Sequence, residues 1–152
     1  MRTINQVLDG LEAIALDHYF IRSFKQGEMS EVDIKKLQAN DYPLCFADIN
    51  AASIERGTMT YSIDILVAEL ILPGQTNAQE VYSNTLQTLN DIVSQYAQVL
   101  SAESDVNSDL TISLPVACDP FTARFDNLLS GWIGSFEIVT SNKLDLCAAA
   151  FA

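Results

Sequence analysis

The chain has 152 residues, 49% of them hydrophobic and 18% charged. That is enough for one domain with its own core, needing neither disulfide nor metal to fold, and it excludes intrinsic disorder. Eight basic residues stand against twenty acidic ones, for a formal charge of −12, which argues against a protein that grips nucleic acid through its phosphates.

The first helix is marked by a capping box, Thr3 with Gln6, ahead of Ile4, Val7, Leu8, Leu11 and Ile14 at helical spacing. It is expected to end near Leu16 or Asp17. Residues 18–26 alternate, with Phe20, Arg22 and Phe24 opposing Tyr19, Ile21 and Ser23, and read as a strand stopped by Gly27. Ser30 then suits the cap of a short helix whose apolar side is Val32, Ile34 and Leu37. Pro43 breaks it, and 44–49 reads as a second, short strand.

From Met59 the pattern is strand-like with one wet face: Tyr61, Ile63, Ile65 and Val67 alternate with Thr60, Ser62 and Asp64. Beyond Leu66 the other parity also turns apolar, through Ala68, Leu70 and Leu72. A strand of that length would run about 46 Å, well above the usual. Its far half requires cover on both faces, from a second helix or from a neighbouring subunit. Pro73 and Gly74 end it. Asn77 with Glu80 opens a long helix reaching about Leu100, with Val81, Leu86, Leu89, Ile92, Val93, Tyr96, Val99 and Leu100 as its apolar stripe.

After a polar loop, Leu110, Ile112, Leu114 and Val116 alternate with polar residues and Pro115, as in a half-buried strand; Cys118, Asp119 and Pro120 read as a turn. Residues 121–125 have an extended pattern. Trp132, Phe136 and Ile138 belong to a last strand entered through Ser130 and Gly131, and the stretch 144–152 is mostly apolar. Such a stretch is expected to dock on its own domain or on a neighbour. The order of elements predicts one α+β domain over 1–152: a mainly antiparallel sheet packed against an N-terminal helix and one long central helix.

No chemistry-bearing motif stands out. Residues 1–6 hold no apolar signal core, and the longest apolar run, 65–72, contains Glu69 and is far shorter than a membrane helix. Cys45, Cys118 and Cys147 have no metal-binding or redox spacing and read as reduced thiols. His18 is the sole histidine, which removes the usual triads and multi-histidine metal sites. Asp105, Asp109 and Asp119 lack the EF-hand pattern, and no phosphate loop, dinucleotide fingerprint or nucleophile elbow is present. No catalytic, cofactor or metal residue is therefore assigned. An enzyme working with carboxylates alone would need two of them about 5–9 Å apart in a cleft.

The charge map is uneven. Residues 57–123 contain no Lys or Arg and carry Asp64, Glu69, Glu80, Asp91, Glu103, Asp105, Asp109 and Asp119. One explanation is a solvated acidic surface that aids solubility. The other is a surface lying beside DNA without holding it, its repulsion reaching about 8 Å at physiological salt.

Four pieces in this order, 23–28 (Ser-Phe-Lys-Gln-Gly-Glu), Tyr42-Pro43-Leu44, the long strand from Met59 and the helix from Asn77, resemble the tail-terminator and tail-completion proteins of tailed bacteriophages, and head–tail connector rings of the same α+β fold. Residues 124–132, with the strand and Asp145-Leu146-Cys147 that follow, resemble the ends of small virion proteins from phages of Bacteroidetes hosts, crAss-like phages among them. The resemblance implies a non-enzymatic virion protein, made in the host cytoplasm, that forms a six- or twelve-fold homo-oligomeric ring in the neck or upper tail. Its partners would be portal, connector or tail proteins, with DNA passing nearby unbound and no membrane contact. The candidates for ring contacts are Leu66, Leu70, Leu72, Trp132 and Phe151, and Leu70→Asp is expected to block assembly more than it harms the subunit. A cytosolic adaptor or binding module dimerising through the long strand is the alternative.

Overall fold

The computed structural model describes residues 3–28, 42–71, 77–102, 111–124 and 129–142. The expected helix at 30–37, the loop after 102, and Leu72, Cys147, Phe151 and the rest of 144–152 lie outside the described residues.

Helix α1 (Ile4–Asp17) opens with the capping box foreseen from its sequence: the Gln6 amide donates to Thr3 Oγ1 at 3.3 Å, and the Thr3 amide to Gln6 Oε1 at 2.9 Å. Val7, Leu11 and Ala15 face inward from it. Strand β1 (Ser23–Gln26) is shorter than the alternation suggested, because 18–22 form a turn and an irregular link. It pairs in parallel with β2 (Leu44–Glu55), which is twelve residues long where a short strand was expected.

Strand β2 turns at Arg56 into β3 (Gly57–Leu70), with Gly57 at φ 93°, a conformation open to glycine. Helix α2 (Ala78–Ala102) follows, then β4 (Thr111–Ile112), β5 (Ala117–Arg124) and β6 (Leu129–Asn142). The sheet runs β1-β2-β3-β6-β4, with β5 also on β6; every pairing except β1 with β2 is antiparallel. The protein is thus an α+β fold with one N-terminal helix, one long central helix and a mainly antiparallel sheet.

Helices α1 and α2 lie on one sheet face. There Val7 and Leu11 of α1 and Leu89, Ile92 and Tyr96 of α2 pack on Tyr61, Ile63, Ile65, Val67, Phe136 and Ile138. The α2 stripe differs from expectation. Leu86 is turned out, while Thr85 and Thr88 are buried. Their hydroxyls donate to the carbonyls of Val81 (2.6 Å) and Asn84 (2.8 Å), one turn back, so threonine can enter the core without an unmet donor.

The opposite face of β3 carries a second cluster, Leu44, Phe46, Leu66, Ala68, Phe121 and Leu129 with Tyr42. Leu66 and Ala68 are fully buried, against their cross-strand neighbours Phe46 and Leu44. The cover that the parity change demanded at Leu66 comes from this chain itself.

The C-terminal half departs most from expectation. In the described part of the alternating run only Thr111–Ile112 forms β4; the Ser113 amide still donates to the Glu137 carbonyl at 2.9 Å, and Pro115 beyond it has no amide to donate. Cys118, Asp119 and Pro120 are not a turn but the middle of β5, opposite Gly134, Ile133 and Trp132. Pro120 is tolerated because β5 pairs on one side only among the described residues.

Candidate assembly surface

The interface candidates fall into different settings. Leu66 has no exposed surface and is corrected to an intrachain core residue. Leu70 is half-buried and packs against the second cluster. Trp132 is also half-buried and committed within the chain. Its Nε1–H donates to the Tyr82 carbonyl at 3.0 Å, and its ring meets Tyr82 edge-on, centroids 6.0 Å apart. The indole thereby ties β6 to the start of α2. Leu72 and Phe151 lie outside the described residues.

Sequence periodicity missed two surfaces that the fold creates. The first is the outer half of the β2–β3 hairpin. Residues 50–57 are exposed, Ile54 by 65%, although 51–55 form a regular ladder with β3. Strand β1 pairs with β2 only from Leu44 to Ala47, so among the described residues no strand lies along the outer edge of 48–55. That edge has no Lys or Pro, two common guards against pairing with another chain.

The second surface is a groove of about 710 Å³ between α2 and the chain leaving β4. Leu86, Leu89 and Val93 form one wall, and Leu114, Val116 and Cys118 the other. Leu114 is 72% exposed and Leu86 37%. No lining residue carries a charge, and the rim is amide and hydroxyl, from Gln87, Asn90 and Ser94. Exposed Leu114 is legible only once the break after β4 is known.

A polar groove of about 550 Å³ lies on the face of the sheet opposite α1 and α2. Asp48, Asp64 and Ser135 are cross-strand neighbours there. The bulge at Asn50 directs its amide onto Asp64 Oδ2 at 2.7 Å, and the Ser135 hydroxyl donates to Oδ1 at 2.7 Å. These two donors offset the repulsion of Asp48 across the strand pair. With Glu137 on its rim, this face presents negative charge.

His18 ends α1. Its Nε2 lies 3.1 Å from Asp91 Oδ2 on α2, and its Nδ1 accepts the Phe20 amide at 3.1 Å, so the proton of the neutral ring sits on Nε2 and donates to Asp91. This bond holds the Asp91 carboxyl below its usual range, with help from Gln87 at 2.9 Å. Burial pushes Glu69 up, and the Glu80 charge adds to it. Burial alone pushes the Cys45 thiol up to about 12, which makes it inert. Cys118 is also raised, by partial burial and then by Asp119, but it remains partly accessible. Among the described residues no three His, Cys, Asp or Glu side chains are grouped to hold a metal ion, and no helix is long and apolar enough to cross a membrane.

No family model matches the chain, and no curated protein matches it.

Proposed function

We propose that this is a non-catalytic virion protein of a tailed bacteriophage, assembling into a ring in the neck or upper tail through which DNA passes. The observation that carries the reading is the β2–β3 hairpin, which continues beyond its own packed core with no described strand along the outer edge of its far half and with an exposed Ile54. A solitary domain gains little from such an arm, whereas a ring needs a surface on each copy that fits a different surface on the next. The phage setting comes from the sequence resemblance. The basic-free span 57–123 and the carboxylate-bearing face around Asp64 suit a wall past which phosphate must slide without sticking.

Negative-stain imaging of the purified chain, alone and with portal or tail proteins, tests this: rings of six or twelve copies are expected, and separate single copies under all conditions contradict it. The outer β2 edge also favours a second reading, a two-fold dimer made by strand pairing in an adaptor module. Class averages with two copies and no ring would select that alternative.

A further inference from the structure

We infer that His18 is a proton-operated latch at the corner between α1 and β1: on taking up a proton, its imidazole releases the Phe20 amide and tightens its hold on α2. This holds whether or not the chain assembles. His18 ends α1, where its amide donates to the Ala15 carbonyl at 3.2 Å and its carbonyl accepts the Ile21 amide at 3.1 Å, so the backbone turns here toward β1. The side chain adds a bond on each nitrogen. Nδ1 accepts the Phe20 amide and Nε2–H donates to Asp91 Oδ2, each at 3.1 Å. One residue thus couples the end of α1, the link to the sheet and the middle of α2.

The two side-chain bonds answer a proton in opposite directions. A neutral imidazole has one donor nitrogen and one acceptor, whereas an imidazolium has two donors. A protonated Nδ1 meets the Phe20 N–H with a hydrogen of its own, and turning the imidazole over restores no acceptor. The Phe20 bond therefore breaks. At Nε2 the bond to the Asp91 carboxylate becomes charge-assisted and stronger. Among the described residues, Asp91 is the charged group that faces the imidazole from α2, and Gln87 holds its other oxygen at 2.9 Å. On the near side stand Asp17, the preceding residue, the carbonyl end of α1, with no basic side chain in its last turn, and Tyr19, whose ring stacks on the imidazole at 5.0 Å. None of these repels an imidazolium, so the side chain keeps its place on Asp91 while the Phe20 amide is let go. Arg22 and Lys25, on the link and on β1, are both exposed and neither bonds to it. The rearrangement stops at the corner, because Ile21 is buried in the core and the Arg22 amide donates to the Pro43 carbonyl at 2.9 Å. What changes is the setting of residues 19 and 20, with Tyr19 96% exposed.

His18 is the sole histidine, so isotope-labelled histidine gives a single imidazole to follow by NMR. The full chain is titrated from about pH 8 to about pH 5, a range that spans imidazole protonation. The exchange of the Phe20 amide with water, with its intrinsic pH dependence removed, is read on the same sample. The expected result is a neutral form protonated at Nε2, and a loss of Phe20 protection of about tenfold, the worth of one hydrogen bond, that follows the imidazole titration. His18→Asn supplies a side-chain oxygen that accepts the same amide and takes up no proton, so Phe20 protection is expected to stay level in that variant. A neutral form protonated at Nδ1 overturns the inference, as does native Phe20 protection that is unchanged while the imidazole titrates. An equal fall in His18→Asn also overturns it, since the imidazole would not be the cause. None of these results bears on the ring, which the imaging experiment tests separately.

Discussion

Gly131 shows how little room a single position has. A Cβ there would fall on the Val67 carbonyl oxygen and lie 2.9 Å from its carbon, backbone that cannot swing aside. Gly131→Ala is expected to cost about 3 kcal/mol in urea unfolding. At Gly134 the nearest atoms are the ends of Leu89 and Val116 side chains, at 3.2 and 3.3 Å, which can yield, and the same change there should cost about 1 kcal/mol. Two carboxyls give opposite pH signatures. The carboxyl of Asp91 is held low, so its link to His18 contributes stability above the unfolded carboxylate pKa and loses it as pH falls through the lower folded value. Asp91→Asn should therefore lose less stability than the native chain between pH 6 and pH 3. Glu69 is raised, so the native state gains relative stability as pH falls through its folded pKa. Glu69→Gln should stabilise at pH 7, and the gain should vanish in acid; thermal melts at both pH values check the pair.

Among the elements, those whose signals are local were legible. The capping box and apolar stripe give α1, and the change of parity at Leu66 gives a strand buried on both faces. What failed depends on distant partners. Alternation at 110–116 presupposes a neighbour to pair with, and the chain leaves β6 after Ser113, whose amide still donates to the Glu137 carbonyl. Pro120 reads as a turn residue until the strand is known to lie at an edge. The long outer half of β2 has no amphipathic pattern, and only its ladder to β3 defines it. The contact of His18 with Asp91, 73 residues apart, has no sequence signal. Of the interface candidates, only Leu70 and Trp132 keep partial exposure among the described residues, whereas the exposed Ile54 and Leu114 were not singled out. The difference is testable. Leu66→Ala should destabilise the subunit by about 2–5 kcal/mol, as a fully buried leucine does. Ile54→Asp should change subunit stability by no more than about 0.5 kcal/mol and impair assembly instead. Leu70, packed on the second cluster, should do some of both when changed to Asp.

At the scale of the whole molecule, a sheet packed on both faces sits beside surfaces that the described core does not use: the outer half of a hairpin, an uncharged apolar groove and a polar groove lined by Asp64 and Glu137. In the proposed ring, the first two meet copies of the chain and the third meets DNA. Formal charge of −12 keeps separate copies apart at low salt, so association should strengthen as salt screens it, the reverse of a nucleic-acid binder. Native mass spectrometry of the purified chain across protein concentration measures the central claim most directly. The account predicts a closed species of six or twelve copies that Ile54→Asp dissociates into folded monomers. A single-copy mass for the native chain at every concentration, with its virion partners present, would contradict it.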